Sequence, residues 1–157
     1  MSVEGEFERS GTSALTPDER RAIEWDCTRL INDYANLNDQ VRWPEVAALY
    51  AEDGLMTRPT APDKPIVGRE ALLASFLARP PRVSRHVCAN IVVTVESARA
   101  ASAYSVILLF SGTPDPAGGP PVRDEGPALV GEYRDRFVLT AEGWRFAERH
   151  GGLSFAR

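Results

Sequence analysis

Residues 85–95 read Arg85-His86-Val87-Cys88-Ala89-Asn90-Ile91-Val92-Val93-Thr94-Val95, and this stretch decides the fold. Val87, Ala89, Ile91, Val93 and Val95 occupy every second position, the period of an extended strand with one apolar face. Upstream of it the apolar period is helical; downstream it stays at two. Helices first and strands afterwards predict an α+β domain, with helices gathered on one side of an antiparallel sheet. His86, Cys88 and Asn90 fall on the opposite face of the same strand.

Upstream, Thr16-Pro17-Asp18-Glu19 combines an N-cap threonine, a proline in the first turn and a glutamate three residues after the cap, a capping box. Ile23, Cys27, Leu30, Ile31, Tyr34 and Leu37 follow at the spacing of one helical face, which predicts a helix over about 17–38. Trp43, Val46, Ala47 and Tyr50, with Pro44 in the first turn, predict a second short helix that stops near Asp53-Gly54. Leu55–Arg58 reads as a short strand and 59–65, with three prolines, as a loop. Gly68-Arg69-Glu70 opens a third helix with Leu72, Leu73, Phe76 and Leu77 inward, ended by Pro80-Pro81.

Downstream, residues 103–111 are apolar on both faces and predict a central strand. Residues 113–127 hold five prolines and three glycines and predict a long irregular hairpin loop. Residues 129–139 and 144–149 complete a meander. A curved sheet closed by a long helix leaves a hollow suited to a small hydrophobic ligand.

A chain of 157 residues, 43% hydrophobic and 25% charged, with a net charge of −4, fits one soluble domain. Residues 1–15 read as a flexible arm and 16–157 as the domain. Acids and bases are interspersed, so neither nucleic acid nor a membrane surface is an expected partner. No apolar run is long enough to cross a bilayer, and the N-terminus does not read as a signal peptide. Cys27 and Cys88 stand in no paired spacing, so a reducing cytoplasmic location is the default. The two histidines, His86 and His150, form no metal-ligand cluster with them, so no metal site is expected.

The order of elements, together with Tyr34-x4-Asp39-x3-Trp43, Gly68-Arg69-Glu70, Arg85-His86-x3-Asn90, Tyr133-x-Asp135-x-Phe137 and Gly143-Trp144-Arg145-Phe146, resembles the SnoaL-like branch of the NTF2-like superfamily. The resemblance spans roughly residues 16–152. It implies the cystatin-like cone, an α+β barrel of three N-terminal helices packed on a curved antiparallel sheet. Within that branch the chain is similar to dehydratase-type members: scytalone dehydratase, bile-acid 7α-dehydratase and hexachlorocyclohexane dehydrochlorinase. Their Asp–His dyad falls here on Asp39 and His86. The dehydrochlorinase's asparagine and arginine fall on Asn90 and Arg149, and the bile-acid enzyme's tyrosine on Tyr34. The second pocket histidine of scytalone dehydratase has no counterpart in 104–109, and its pocket serine and asparagine are replaced by Gly131 and Tyr133, so a different substrate is implied.

These residue types suit proton abstraction beside a carbonyl. Imidazole exchanges protons near neutral pH, and a carboxylate on its other nitrogen fixes the tautomer and steadies the imidazolium. His86 is the expected base and Asp39 its orienter, while Tyr34 and Arg149 meet developing negative charge. Asn90, Cys88, Tyr133, Asp135 and Tyr50 are the expected pocket-lining residues. At about 100° per residue, Tyr34 and Asp39 lie about 140° apart around the helix. They share a pocket only if the helix frays after Leu37 or Tyr34 reaches round its edge. No cofactor is called for. The expected activity is a dehydratase-type lyase or isomerase; the rivals are a binding module, which has no need of the Asp39–His86 pair, and an assembly subunit. The outer sheet face, with Val130 and Val138 among Glu132, Arg134 and Arg136, predicts a homodimer or homotrimer.

Overall fold

A computed structural model describes residues 14–155. Most of the expected N-terminal arm therefore lies outside the described residues. Three helices, α1 (Pro17–Asp39), α2 (Trp43–Ala48) and α3 (Arg69–Leu77), pack on one sheet of seven strands. The strands are β1 (Tyr50–Arg58), β2 (Ala61–Val67), β3 (Val83–Ser97), β4 (Ala100–Thr113), β5 (Val122–Arg123), β6 (Leu129–Thr140) and β7 (Gly143–Leu153). No helix among the described residues is long and apolar enough to cross a membrane.

The capping box forms as written. Glu19 donates its backbone N–H to the Thr16 hydroxyl, and its carboxylate accepts the Thr16 backbone N–H at 2.7 Å. The helix so started buries Ile23, Cys27, Leu30, Ile31 and Tyr34 against the sheet. It does not fray after Leu37. It runs through Asp39 and ends in a 6→1 bond from the Arg42 N–H to the Leu37 carbonyl, with Val41 at φ +59°. Such a C-cap normally falls to glycine.

Four expectations are corrected. The sheet is mixed rather than wholly antiparallel, because β1 runs parallel to β7 in the order β2-β1-β7-β6-β4-β3, with β5 on β4. Residues 61–65 of the expected loop 59–65 belong instead to strand β2. An edge strand bonds a neighbour on one side only, so Pro62 and Pro65 are tolerated there. Asp53-Gly54 does not stop α2 but lies in an irregular stretch of β1 where Tyr50 and Leu55 shift register against β7. A Cβ on Gly54 would sit 2.9 Å from the Tyr50 Cβ and 3.1 Å from the Phe146 carbonyl, so close approach demands glycine here. Leu77, expected inward, is exposed; Leu72 and Phe76 carry the buried face of α3.

The most consequential difference lies in β3. Its pairing with β4 shifts by one residue between Ala89 and Val92, so Asn90 and Ile91 together oppose Ser105, and Asn90 takes φ +51°. This bulge reverses the facing of the strand. After it, Ile91, Val93 and Val95 pack toward the core; before it, His86 and Cys88 do, while Val87 is exposed. A single apolar face along the whole strand is thus not what forms. The bulge turns the histidine face inward without sacrificing the apolar face beyond.

Candidate active site

α1 ends where β3 begins, and there Asp39 meets His86. The ring Nδ1 lies 2.6 Å from Asp39 Oδ1, and the His86 backbone N–H donates to Oδ2 at 2.8 Å. The Ser84 hydroxyl donates to Oδ1 at 3.0 Å, and Arg85, largely exposed, reaches within 3.8 Å of Oδ2. The side chains of Asp39 and His86 keep 3% and 8% of their surface accessible. A carboxylate held by three donors out of water is a fixed acceptor, so the proton of the neutral ring belongs on Nδ1. Nε2 then presents a lone pair, and it has no protein hydrogen bond among the described residues.

His86 lines a cavity of about 290 Å³ between helices and sheet. Its apolar wall is built from Met56, Ile107, Leu109 and Leu129; Tyr34 and Tyr133 stand in it as well, and Arg58, Arg79 and Arg82 border it. The volume is roughly twice that of a benzene-sized cavity. The Tyr34 hydroxyl has only the Met56 sulfur, at 3.5 Å, and the Tyr133 hydroxyl has no protein partner among the described residues. Burial raises the Tyr133 phenol well above its ordinary pKa, with the neighbouring Tyr34 adding to it, so Tyr133 is a donor rather than a base.

Tyr34 and Asp39 come to one site without the helix fraying, because Asp39 does not itself line the cavity. It stands behind His86, and Tyr34 reaches the cavity from one turn earlier. His86 also lines a second hollow of about 350 Å³, bordered by Asn38, Val41 and Trp43 and sharing Arg79, Pro80 and Arg82 with the first.

Several expected site residues sit elsewhere. Arg149 is fully buried and does not border the cavity. Its Nη2 donates to Asp135 Oδ2 at 3.1 Å, and its guanidinium lies 4.0 Å from the ring centre of Tyr133, 4.2 Å from Tyr34 and 4.6 Å from Phe146. Nε is 3.0 Å from Oδ1, within ion-pair distance, but its N–H is not aimed at that oxygen, and Nε, Nη1 and Oδ1 are left without hydrogen bonds. Arg149, expected to meet a ligand directly, instead lies beneath the two tyrosines and outside the cavity lining. Asp135 is its counter-ion, with a carboxyl pushed up to about 6 by burial and only partly pulled back by Arg149. Burial opposes the Arg149 charge, yet Asp135 and the surrounding tyrosines outweigh it and raise that pKa.

Asn90, expected in the pocket, is exposed, because the positive-φ bulge swings it out of the inward row. Tyr50 is fully buried core, its hydroxyl unpartnered, and does not line the cavity. Cys88 is half-buried against the core, and burial raises its thiol pKa, which disfavours the nucleophilic thiolate. Of the expected lining residues, only Tyr133 borders the cavity. Sequence reading missed Met56, Ser84 and the three arginines; nothing in their local spacing marks them. Among the described residues no group of three or more His, Cys, Asp or Glu side chains could hold a metal ion.

A helix-closed curved sheet whose hollow meets a buried carboxylate–imidazole pair defines the class: an NTF2-like protein with a cystatin-like fold. The pattern of the SnoaL-like domain matches residues 19–150, and the chain belongs to that family. No curated protein matches the sequence. Among solved structures, a candidate scytalone dehydratase from Novosphingobium aromaticivorans is similar, with TM-score 0.73, 23% identity and 89% of each chain covered. An NTF2-like protein with a cystatin-like fold from the same organism gives 0.71 and 22% over 94% of each chain. A type 2 hexachlorocyclohexane dehydrochlorinase gives 0.73 and 16% over 89% of this chain and 90% of its own. At these identities the likeness establishes the fold.

Proposed function

We propose that the protein is a lyase or isomerase that moves a proton on a small, largely apolar, oxygenated molecule. The observation that carries this reading is the 2.6 Å contact between His86 Nδ1 and Asp39 Oδ1, with the opposite ring nitrogen unpartnered beside a cavity. Nε2 takes a proton from a carbon next to a carbonyl. The electron pair left behind forms an enolate, whose oxygen accepts hydrogen bonds from the Tyr34 and Tyr133 hydroxyls. In an elimination the enolate then expels a β-hydroxyl, which leaves as water with the proton His86 carries. In an isomerisation the same proton returns to another carbon. Asp39 stabilises the imidazolium in between and does not itself move a proton.

A second copy of the chain is the proposed partner of the outward sheet face, where Tyr104 donates to Glu132 at 3.1 Å and Arg134 stacks over Tyr104 within one chain. Mass measurement in solution checks this. The enzymatic reading is tested by incubating the protein with a panel of β-hydroxy ketones and cyclic β-hydroxy carbonyl compounds and following loss of water by mass. Wild-type turnover that disappears in His86→Ala and drops in Asp39→Asn supports it. Undiminished turnover in His86→Ala sinks it, and tight binding with no conversion of any compound favours a carrier.

A further inference from the structure

We infer that the molecule held in this cavity carries a negative charge, in the form of a carboxylate on an apolar ring, and that Arg58, Arg79 and Arg82 bind it. The inference rests on the reading of this cavity as the ligand site. Every charged side chain bordering it besides the histidine is an arginine, and no carboxylate lines it. In a chain with a net charge of −4, three cations collected at one opening without acids is a built feature. None of the three forms an ion pair with an acid among the described residues. Arg58 donates to the Ser75 carbonyl at 3.1 Å, and its Nε is buried without a partner. Arg79 donates to Asn38 Oδ1 at 2.8 Å and lies over the Trp43 and Phe76 rings. Neutral oxygens and ring faces fix both guanidiniums in place and leave their charge unspent.

Desolvation lowers the pKa of Arg58, and Arg79 and Arg82 lower it further, so an anion placed among them relieves mutual repulsion as well as pairing. The nearest buried carboxylate, Asp39, stands behind His86 with its oxygens taken by Ser84 and His86 and does not line the cavity, and Asp124 and Glu125 line an adjoining hollow that shares only Arg82 among these three arginines. A planar fork suits a carboxylate bidentately. The apolar wall of Met56, Ile107, Leu109 and Leu129 accounts for the ring. At about 290 Å³ the cavity takes one or two fused rings.

The test uses benzoate, 1-naphthoate and 2-naphthoate, each beside its methyl ester, with inorganic phosphate as a separate arm, titrated by calorimetry. At least one acid should bind ten-fold or more tightly than its ester, and that preference should shrink several-fold from 50 to 300 mM salt. In Arg58→Gln/Arg82→Gln, with thermal unfolding confirming the fold, the preference should fall to three-fold or less. Equal binding of acid and ester, retention of the preference in the double variant, or binding of no acid overturns the proposal. Phosphate competing equally with the naphthoates overturns the carboxylate assignment. Because the readout is binding, His86→Ala should keep the acid preference; loss of turnover in that variant speaks to the dyad and not to the charge.

Discussion

Among the described residues two buried carboxylates face a basic partner, and their surroundings differ. Asp39 with His86 lies at the junction of α1 and β3, and the His86 side chain lines a cavity. Asp135 with Arg149 spans β6 and β7, both side chains fully sealed, with aromatic rings on the guanidinium. Histidine can surrender its charge and arginine cannot. The first pair can therefore pass a proton; the second can only hold a field and a shape. The guanidinium beneath Tyr34 and Tyr133 packs against the two rings that line the cavity.

Breaking each pair should have different consequences, and the largest falls on turnover. His86→Ala should cut the rate by at least 10²–10⁴-fold, the usual contribution of a general base, with little change in unfolding temperature. Rate assays paired with thermal unfolding check both halves. If stability falls as much as activity, the two pairs are not different in kind.

Next comes Arg149→Met, which leaves Asp135 buried without its counter-ion and should cost about 3–5 kcal/mol in urea unfolding. Adding Asp135→Leu should restore much of that, because a buried ion pair pays heavy desolvation. No restoration would mean that the pair is a net stabiliser.

The pH dependence is smaller and has a definite sign. Asp135 has its folded pKa raised to about 6, against about 3.9 unfolded. Between these values the folded state binds the extra proton, so this group's contribution to stability is present below about pH 4 and is lost as pH rises through 6. Relative to Asp135→Asn, the wild type should lose about 1–3 kcal/mol across that window. A flat or rising difference contradicts the assignment.

The smallest effect concerns the turn that aims Asp39. Val41, a β-branched residue at φ +59°, carries left-handed strain that glycine would not, so Val41→Gly should stabilise by about 0.5–1 kcal/mol after the entropy of glycine is counted. Paired with rate assays, it sharpens the contrast. If activity falls while stability rises, the strained cap holds the carboxylate in line with the ring.

Asp39, His86 and Tyr34 were legible because each carries a motif position, and β3 because its alternation is strong. The bulge at Asn90 was not: in the sequence it is one polar residue in an unbroken period of two, and only pairing with β4 shows that the count slips by one. Arg149 was misread for a related reason. A motif position says which strand holds a side chain, not whether a tyrosine stands between it and the cavity.

Composition, capping chemistry and periodicity by themselves determined the α+β class, the long first helix and the strand meander, since those depend on interactions a few residues apart. The mixed sheet, the edge strand through two prolines, the inward turn of His86 and the three-arginine opening were decided by the tertiary structure. Each depends on groups distant in sequence brought together by chain closure, where burial and like-charge proximity, invisible in a linear order, set the energy.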